Sequence, residues 1–251
     1  MPPRVRAALI QLAICAVIAA LVFLPIHFLW YPGVLFEAAG GRQLFFLIVG
    51  VSVTIGPLIT LIIFKPGKWG LGFDLVVIAI LQAGALAFGA WVLFDSRPVY
   101  IAYVKDRYEL LRANGYPEGM LAKASAGGYD RLPWSGPRLI GVRLPTNPDE
   151  ALKVMISGLN GVDAQYFAQY YVPYDEVRAE VAGHALPIAL LRERNPKRGS
   201  DIDRELARLD RSEADVRFVP MRVGKADLAV LVDSMRADVL EITSLDPWDV
   251  R

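Results

Sequence analysis

Reactive side chains are scarce in this chain. It has one cysteine, Cys15, and two histidines, His27 and His184. No HExxH pair, CxxC pair or two-histidine metal cluster can be assembled from that set. Cys15 lies in an apolar run, which leaves the rest of the chain without a thiol nucleophile or a disulfide. A Ser-His-Asp set would have to use His184, in Ala182-Gly183-His184-Ala185-Leu186. A helix end or a polar surface position is the plainer role for it. Asp201-Ile202-Asp203 matches the DxD metal motif of some glycosyltransferases, yet both acids also suit the positive end of a helix opened at Ser200. There is no Walker loop, and no GxGxxG opens a helix. The expectation is a chain with no catalytic, cofactor or metal site.

Recognition chemistry is better represented. The run Tyr166-Phe167-Ala168-Gln169-Tyr170-Tyr171-Val172-Pro173-Tyr174 is dense in aromatic rings. Such a run either packs inside a domain or forms a contact surface for a protein partner, where tyrosine is enriched. Tyr166, Tyr170 and Tyr171 are the candidates on the second reading. Another set lies in the apolar part. Gly56-Pro57 sits inside an uncharged run, where proline removes a backbone donor and bends a helix. Ser52, Thr54 and Thr60 are placed to satisfy freed backbone groups or to bond to a neighbouring helix. Ala79, Ala83, Gly84, Ala87, Gly89 and Ala90 form a small-residue side on the next run. Ordinary packing between helices accounts for both features. The alternative is a notch for a partner's transmembrane helix, lined by Gly56, Pro57, Ala83, Gly84 and Ala87.

These residues must be positioned by segregated elements. The chain is 54% hydrophobic and 21% charged, and the two classes hardly mix. No Asp, Glu, Lys or Arg occurs in 7–30, 43–64 or 75–94. Runs of about 20 such residues are long enough to cross a hydrocarbon core as helices, which predicts spans over about 7–30, 43–64 and 74–95. The first run is too long for a signal-peptide core and ends in bulky residues, so it reads as a retained span. Arg4 and Arg6 precede span one, while Lys65 and Lys68 lie between spans two and three. The positive-inside rule then places the N-terminus and the Lys65–Gly72 loop in the cytoplasm, and the C-terminal part beyond it.

Residues 97–251 suffice for one compact domain and are balanced in charge, with no sign of nucleic-acid binding. Residues 99–104 and 138–144 read as strands, 107–111 as an extension of the first or the start of a second, and 114–137 as loop with at most one short helix. Asn147-Pro148-Asp149-Glu150 opens a helix with Leu152, Met155, Ile156 and Leu159 on one stripe. Helices follow over 174–182, running on unevenly to 192, and from Ser200, with Ile202, Leu206 and Leu209 inward. Three runs at 216–223, 226–232 and 238–243, joined by short turns, suggest an antiparallel meander. The expected organisation is a three-helix transmembrane anchor (1–96) and a C-terminal α+β extracytoplasmic domain with an antiparallel sheet (97–251).

One family resemblance is specific in its order of motifs. Trp30-Tyr31-Pro32, Leu35-Phe36-Glu37-Ala38-Ala39-Gly40-Gly41, Gly56-Pro57-Leu58-Ile59-Thr60-Leu61, Phe64-Lys65-Pro66-Gly67-Lys68, Phe73-Asp74-Leu75 and Arg97-Pro98-Val99-Tyr100 together resemble the TfpX/TfpZ family of type IV pilin accessory proteins. Ser244-Leu245-Asp246-Pro247-Trp248 is similar to that family's end, whereas Trp69 departs from its pattern. The resemblance implies a bacterial inner-membrane accessory protein or chaperone, with a periplasmic domain, that binds the type IV major pilin through its transmembrane helix and head. It implies no cofactor; the lipid bilayer is the other partner. Two other readings remain open: a membrane-anchored enzyme modifying pilin through Asp201 and Asp203, and a structural subunit of the pilus machinery.

Overall fold

The computed structural model describes residues 2–64, 70–124 and 128–248, so the turn residues Lys65 to Trp69 lie outside the described residues. The chain divides into two compact units, Met1–Ser96 and Arg97–Arg251.

The first unit is helical. Helix α1 (Pro3–Leu24) has proline at its first position, where a missing N–H costs nothing. Pro25 then interrupts the ladder, and Pro25–Trp30 continues as a π-helical turn in which the Tyr31 N–H donates to Ile26 O at 2.8 Å. A short helix α2 (Leu35–Ala38) and Gly40, at φ +78°, turn the chain into α3 (Gly41–Ile63). Helix α4 (Leu71–Asp95) follows. Three segments are long and apolar enough to cross a membrane: Val5–Trp30, Gly41–Ile62 and Leu71–Asp95. Helix α3 packs on both α1 and α4. Gly89 of α4 makes one of these approaches possible, since a Cβ there would lie 2.6 Å from Cγ2 of Ile48. Tyr31 is fully buried, with its hydroxyl 3.1 Å from Leu93 O and 3.1 Å from Ser96 Oγ. The Trp30-Tyr31-Pro32 motif thus ties the end of the first helix to the end of the last.

The second unit is α+β around a curled mixed sheet. Strands β1 (Pro98–Val104) and β2 (Arg107–Arg112) form a hairpin. Strand β3 (Arg138–Val142) follows, then α5 (Pro148–Leu159), β4 (Tyr171–Pro173) and α6 (Arg178–His184). Next come β5 (Leu186–Pro187), α7 (Ile188–Arg194) and α8 (Gly199–Leu209). The meander β6 (Val216–Val223), β7 (Ala226–Asp233) and β8 (Val239–Thr243) ends the chain. The strand order is β4-β3-β1-β2-β6-β7-β8, with β5 paired to β6.

The C-terminal meander is antiparallel as expected, but the sheet as a whole is not. β1 pairs parallel with β3, and β2 parallel with β6. The reason is positional. β2 ends at Arg112 beside Pro98, and the connection 113–137 starts β3 at Arg138 beside Tyr100. β2 and β3 therefore flank β1 from the same end, and β3 must run with β1. Strand β1 is buried along its whole length, as a central strand covered on both faces should be.

One further expectation is corrected, and the direction of the α5 stripe, left open by the sequence, is given. Ser200 does not cap α8; the capping position is Arg198, and Ser200 lies within the helix. The stripe Leu152, Met155, Ile156 and Leu159 on α5 faces outward, Leu159 being 83% exposed, while Val154 on the opposite side packs with Met120 and Phe167. Ile202 and Leu206 of α8 do face the core, with Leu209 beside them.

Candidate functional site

The helical unit contains a cleft of ≈ 430 Å³. One wall is α1, presenting Ile14 and Ile18; the other is α4, presenting Ala83 and Ala87; Val49 of α3 contributes to the floor. The small residues of α4 set its width, because alanine leaves room where leucine would fill it. Of the five residues expected to line a notch, Ala83 and Ala87 lie in this cleft. Gly56, Pro57 and Gly84 do not. Gly84 is exposed elsewhere on α4, with nothing within 4 Å of a Cβ built on it. Gly56 is buried beneath the Gln82 amide, which a Cβ would overlap. Pro57 is half-buried in a continuous α3, and Thr60 is buried with no partner for its hydroxyl among the described residues. Between α3 and α4 lies a different, smaller crevice of ≈ 250 Å³, lined by Ile48, Ala85 and Gly89 among others and by none of the five expected residues.

Two residues that sequence reasoning passed over complete the cleft. Gln11 and Gln82 both line it, and Nε2 of Gln11 donates to Oε1 of Gln82 at 2.6 Å. Cys15 Sγ lies 3.9 Å from Gln11 Nε2 and 3.7 Å from Gln82 Nε2. The signal was present: each amide interrupts an otherwise aliphatic stretch of an uncharged run.

The aromatic run of the second unit is largely internal. Tyr171 is buried; its hydroxyl donates to Gln165 O at 2.7 Å and lies 2.8 Å from the Tyr116 hydroxyl. Tyr166 packs edge-on against Tyr116, and Tyr170 packs on Phe167; both are half-buried. Tyr171, Tyr116 and Tyr166 all have phenol pKa values pushed upward, burial being the largest cause for each. None is poised to ionise.

The candidate catalytic groups are held in plainer roles. Asp201 accepts from Arg198 Nε at 2.8 Å and Arg204 Nη1 at 3.3 Å, and the Arg198 guanidinium holds its carboxyl below the usual range. Asp203 accepts from Arg192, which also bonds Glu213. With each acid engaged by arginine, the pair does not present the free, converging oxygens a divalent ion needs. His184 is exposed at the end of α6, its Nδ1 2.9 Å from both the Tyr103 hydroxyl and Glu180 O. Burial raises the Tyr103 phenol too, so it is no activated base.

The C-terminal motif forms a clasp. Asn195 Nδ2 donates to Asp246 O at 2.8 Å, and Asp246 N donates back to Asn195 Oδ1 at 3.0 Å. Arg198 holds Ser244 O, Arg194 holds Pro247 O, and Leu245 is buried. The Arg107 guanidinium lies 5.9 Å from the Trp248 ring centroid.

Comparison with known proteins finds relatives by sequence. Over 105 residues the chain is 33% identical to a fimbrial assembly protein of serogroups C1 and C2 from Dichelobacter nodosus, covering 41% of this chain and 77% of that protein. The chain belongs to the fimbrial assembly protein family. The similarity extends along nearly its whole length. It is 27% identical over 245 residues to the serogroup I protein of the same organism and 28% over 247 residues to the serogroup E1 protein, covering 96% of this chain and 93% of the relative in each case. No family model and no solved structure matches the chain.

Proposed function

We propose that this protein is a non-catalytic accessory protein of type IV pilus assembly, of the TfpX/TfpZ kind, that holds pilin in the bacterial inner membrane through the cleft between α1 and α4. The observation that carries this reading is the cleft itself: an open, mainly aliphatic cleft kept wide by alanines and built from helices of membrane-spanning length. Without a hydrophobic force between helices in lipid, small residues are what let a guest helix approach closely. The fimbrial assembly names of the relatives favour pilin as the guest, since a fimbrial subunit awaiting assembly suits such a cleft. Arg4, Arg6, Lys65 and Lys68 support a cytoplasmic N-terminus, and with three spans the second unit is then periplasmic. There the outward stripe of α5 offers a second contact for the pilin head. Two linked weak contacts raise effective concentration without a single strong interface.

Ala83→Leu and Ala87→Leu test the reading. Both should insert normally, because leucine favours the bilayer, yet fill the cleft and reduce co-purification of pilin. Full capture at normal membrane level by both variants would contradict it. The double variant Asp201→Ala, Asp203→Ala should still support piliation if folded; its failure would favour the enzyme reading.

A further inference from the structure

The second unit carries a basic cleft of ≈ 1050 Å³, lined among the described residues by five basic and two acidic side chains. Its floor is sheet. Arg222 of β6 stands beside Glu109 of β2 and Asp227 of β7, so Arg107, two residues before Glu109, projects from the same face. The loop between α7 and α8 adds Lys197, and Trp248 closes one end, its ring centroid 5.9 Å from the Arg107 guanidinium. Arg194 and Arg198 hold the carbonyls of Pro247 and Ser244 and belong to the clasp. The other three cations are loosely matched. Arg222 lies 3.8 Å from Asp227, and Arg107 lies 3.2 Å from Asp106 and 3.8 Å from Glu109. Lys197 is exposed and meets no carboxylate among the described residues. Cations with spare donors around one cavity are suited to oxyanions, the arginine forks to carboxylates above all.

The cleft has an apolar continuation. Arg107 also lines a neighbouring cavity of ≈ 610 Å³, whose walls include Leu144, Val154 and Met155. The charges there are balanced, Lys105 and Arg107 against Glu109 and Asp163. Met155 is 61% exposed and leads into the outward stripe of α5. An inorganic anion fills only the basic end of this path. A peptide segment bearing carboxylates and then apolar side chains matches both ends. Arg107 stands between them, with an aliphatic stem for one and a guanidinium for the other. We propose that this path binds an acidic, partly apolar surface segment of the pilin head, with Arg107, Lys197 and Arg222 receiving its carboxylates. The proposal rests on the reading that the protein holds pilin. Exposed ion pairs add little affinity singly, but they set orientation and partner choice, so this site selects which head is accepted.

The test places a photocrosslinking amino acid at Pro196, an exposed residue of the basic cleft, in the full-length protein in membranes. The probe is the full-length major pilin of the source organism. A pilin adduct is expected, and peptide mapping should put it beside an aspartate or glutamate of the head. Lys197→Gln should lower the adduct by about 2- to 5-fold, and Lys197→Glu combined with Arg222→Glu by about 5- to 30-fold. Changing the mapped acid of pilin to lysine should restore capture by the charge-reversed protein, which also shows that this protein is folded. An undiminished adduct after charge reversal, a loss that no mapped acid restores, an adduct on a segment without acids, or lipid as the only product would each overturn the proposal. Capture from Ala83, in the cleft between α1 and α4, is followed in parallel. Pilin adducts from 83 but none from 196 would overturn the proposal and leave the reading of that cleft intact. No pilin adduct from either position would overturn both.

Discussion

Replacing Asn195 with alanine is expected to open the C-terminal clasp of the second unit. Asn195 is 7% exposed. Its Nδ2 donates to Leu191 O and to Asp246 O, each at 2.8 Å, and its Oδ1 accepts from Asp246 N at 3.0 Å. Alanine removes all three bonds and leaves the backbone in place. Each bond contributes roughly 0.5–1.5 kcal/mol net, and a partner left dry costs about 1–3 kcal/mol more. Asp246 is exposed, so water takes over part of what it loses. The expected loss is therefore about 2–4 kcal/mol. At roughly 2–4 °C per kcal/mol for a domain of about 150 residues, Tm should fall by about 5–15 °C. The assay is thermal unfolding of the full chain in detergent, followed by near-UV circular dichroism. Ser244→Ala is the control. Arg198 holds its backbone oxygen at 2.8 Å, and only the 3.2 Å contact to Oγ is lost, so its shift should stay within about 2 °C. An Asn195→Ala shift as small as the control would refute the clasp.

Three further outcomes are expected. Gly89→Leu should lower the membrane level of the protein by forcing Ile48 out of its place on α3, whereas Gly84→Leu, with open space around it, should not; immunoblots of membrane fractions decide. The backbone N–H groups of Arg236 and Met235 hold the Asp233 carboxyl below its usual range. Its folded pKa is depressed, so its contribution is present above the ordinary aspartate value of about 4 and lost as pH falls through the folded value. Asp233→Asn should therefore flatten the acid side of a Tm-against-pH curve, and an unchanged slope would contradict this. Glu109 runs the other way: burial raises its pKa, so ionising it costs stability as pH rises. Finally, a phosphatase reporter fused after Trp248 should be active and one fused at Gly67 inactive; the reverse would invert the proposed topology.

Much of the architecture could be read from residue order because the cues were local. Three uncharged runs marked the long helices, and short turns at Gly224-Lys225 and 234–237 marked the antiparallel meander. What could not be read depended on contacts between distant segments. The parallel pairing of β1 with β3 follows from how the long connection 113–137 crosses one end of β1, and no local pattern records that. On α5, period identified the residues sharing a face, but the tighter fit of Val154 against Met120 and Phe167 decided which face turned inward. Ser200 looked like a cap from its type, yet the helix begins earlier, with Arg198 at the capping position. The candidate site was half legible. Ala83 and Ala87 were picked out by size alone, whereas the opposite wall turned out to be α1 because α3 holds α1 and α4 side by side.

The central claim is that one face of α4, turned toward α1, holds pilin. Adjacent residues of that helix test it directly. A photocrosslinking amino acid is placed at Ala83, inside the cleft, and separately at Gly84, about 100° around the helix and outside it. Both proteins are expressed at matched levels in the source organism, and crosslinked products are identified by mass spectrometry. The account predicts a pilin adduct from position 83 and none, or a far weaker one, from position 84. Equal adducts from both positions, adducts from 84 alone, or lipid as the only product at 83 would contradict it.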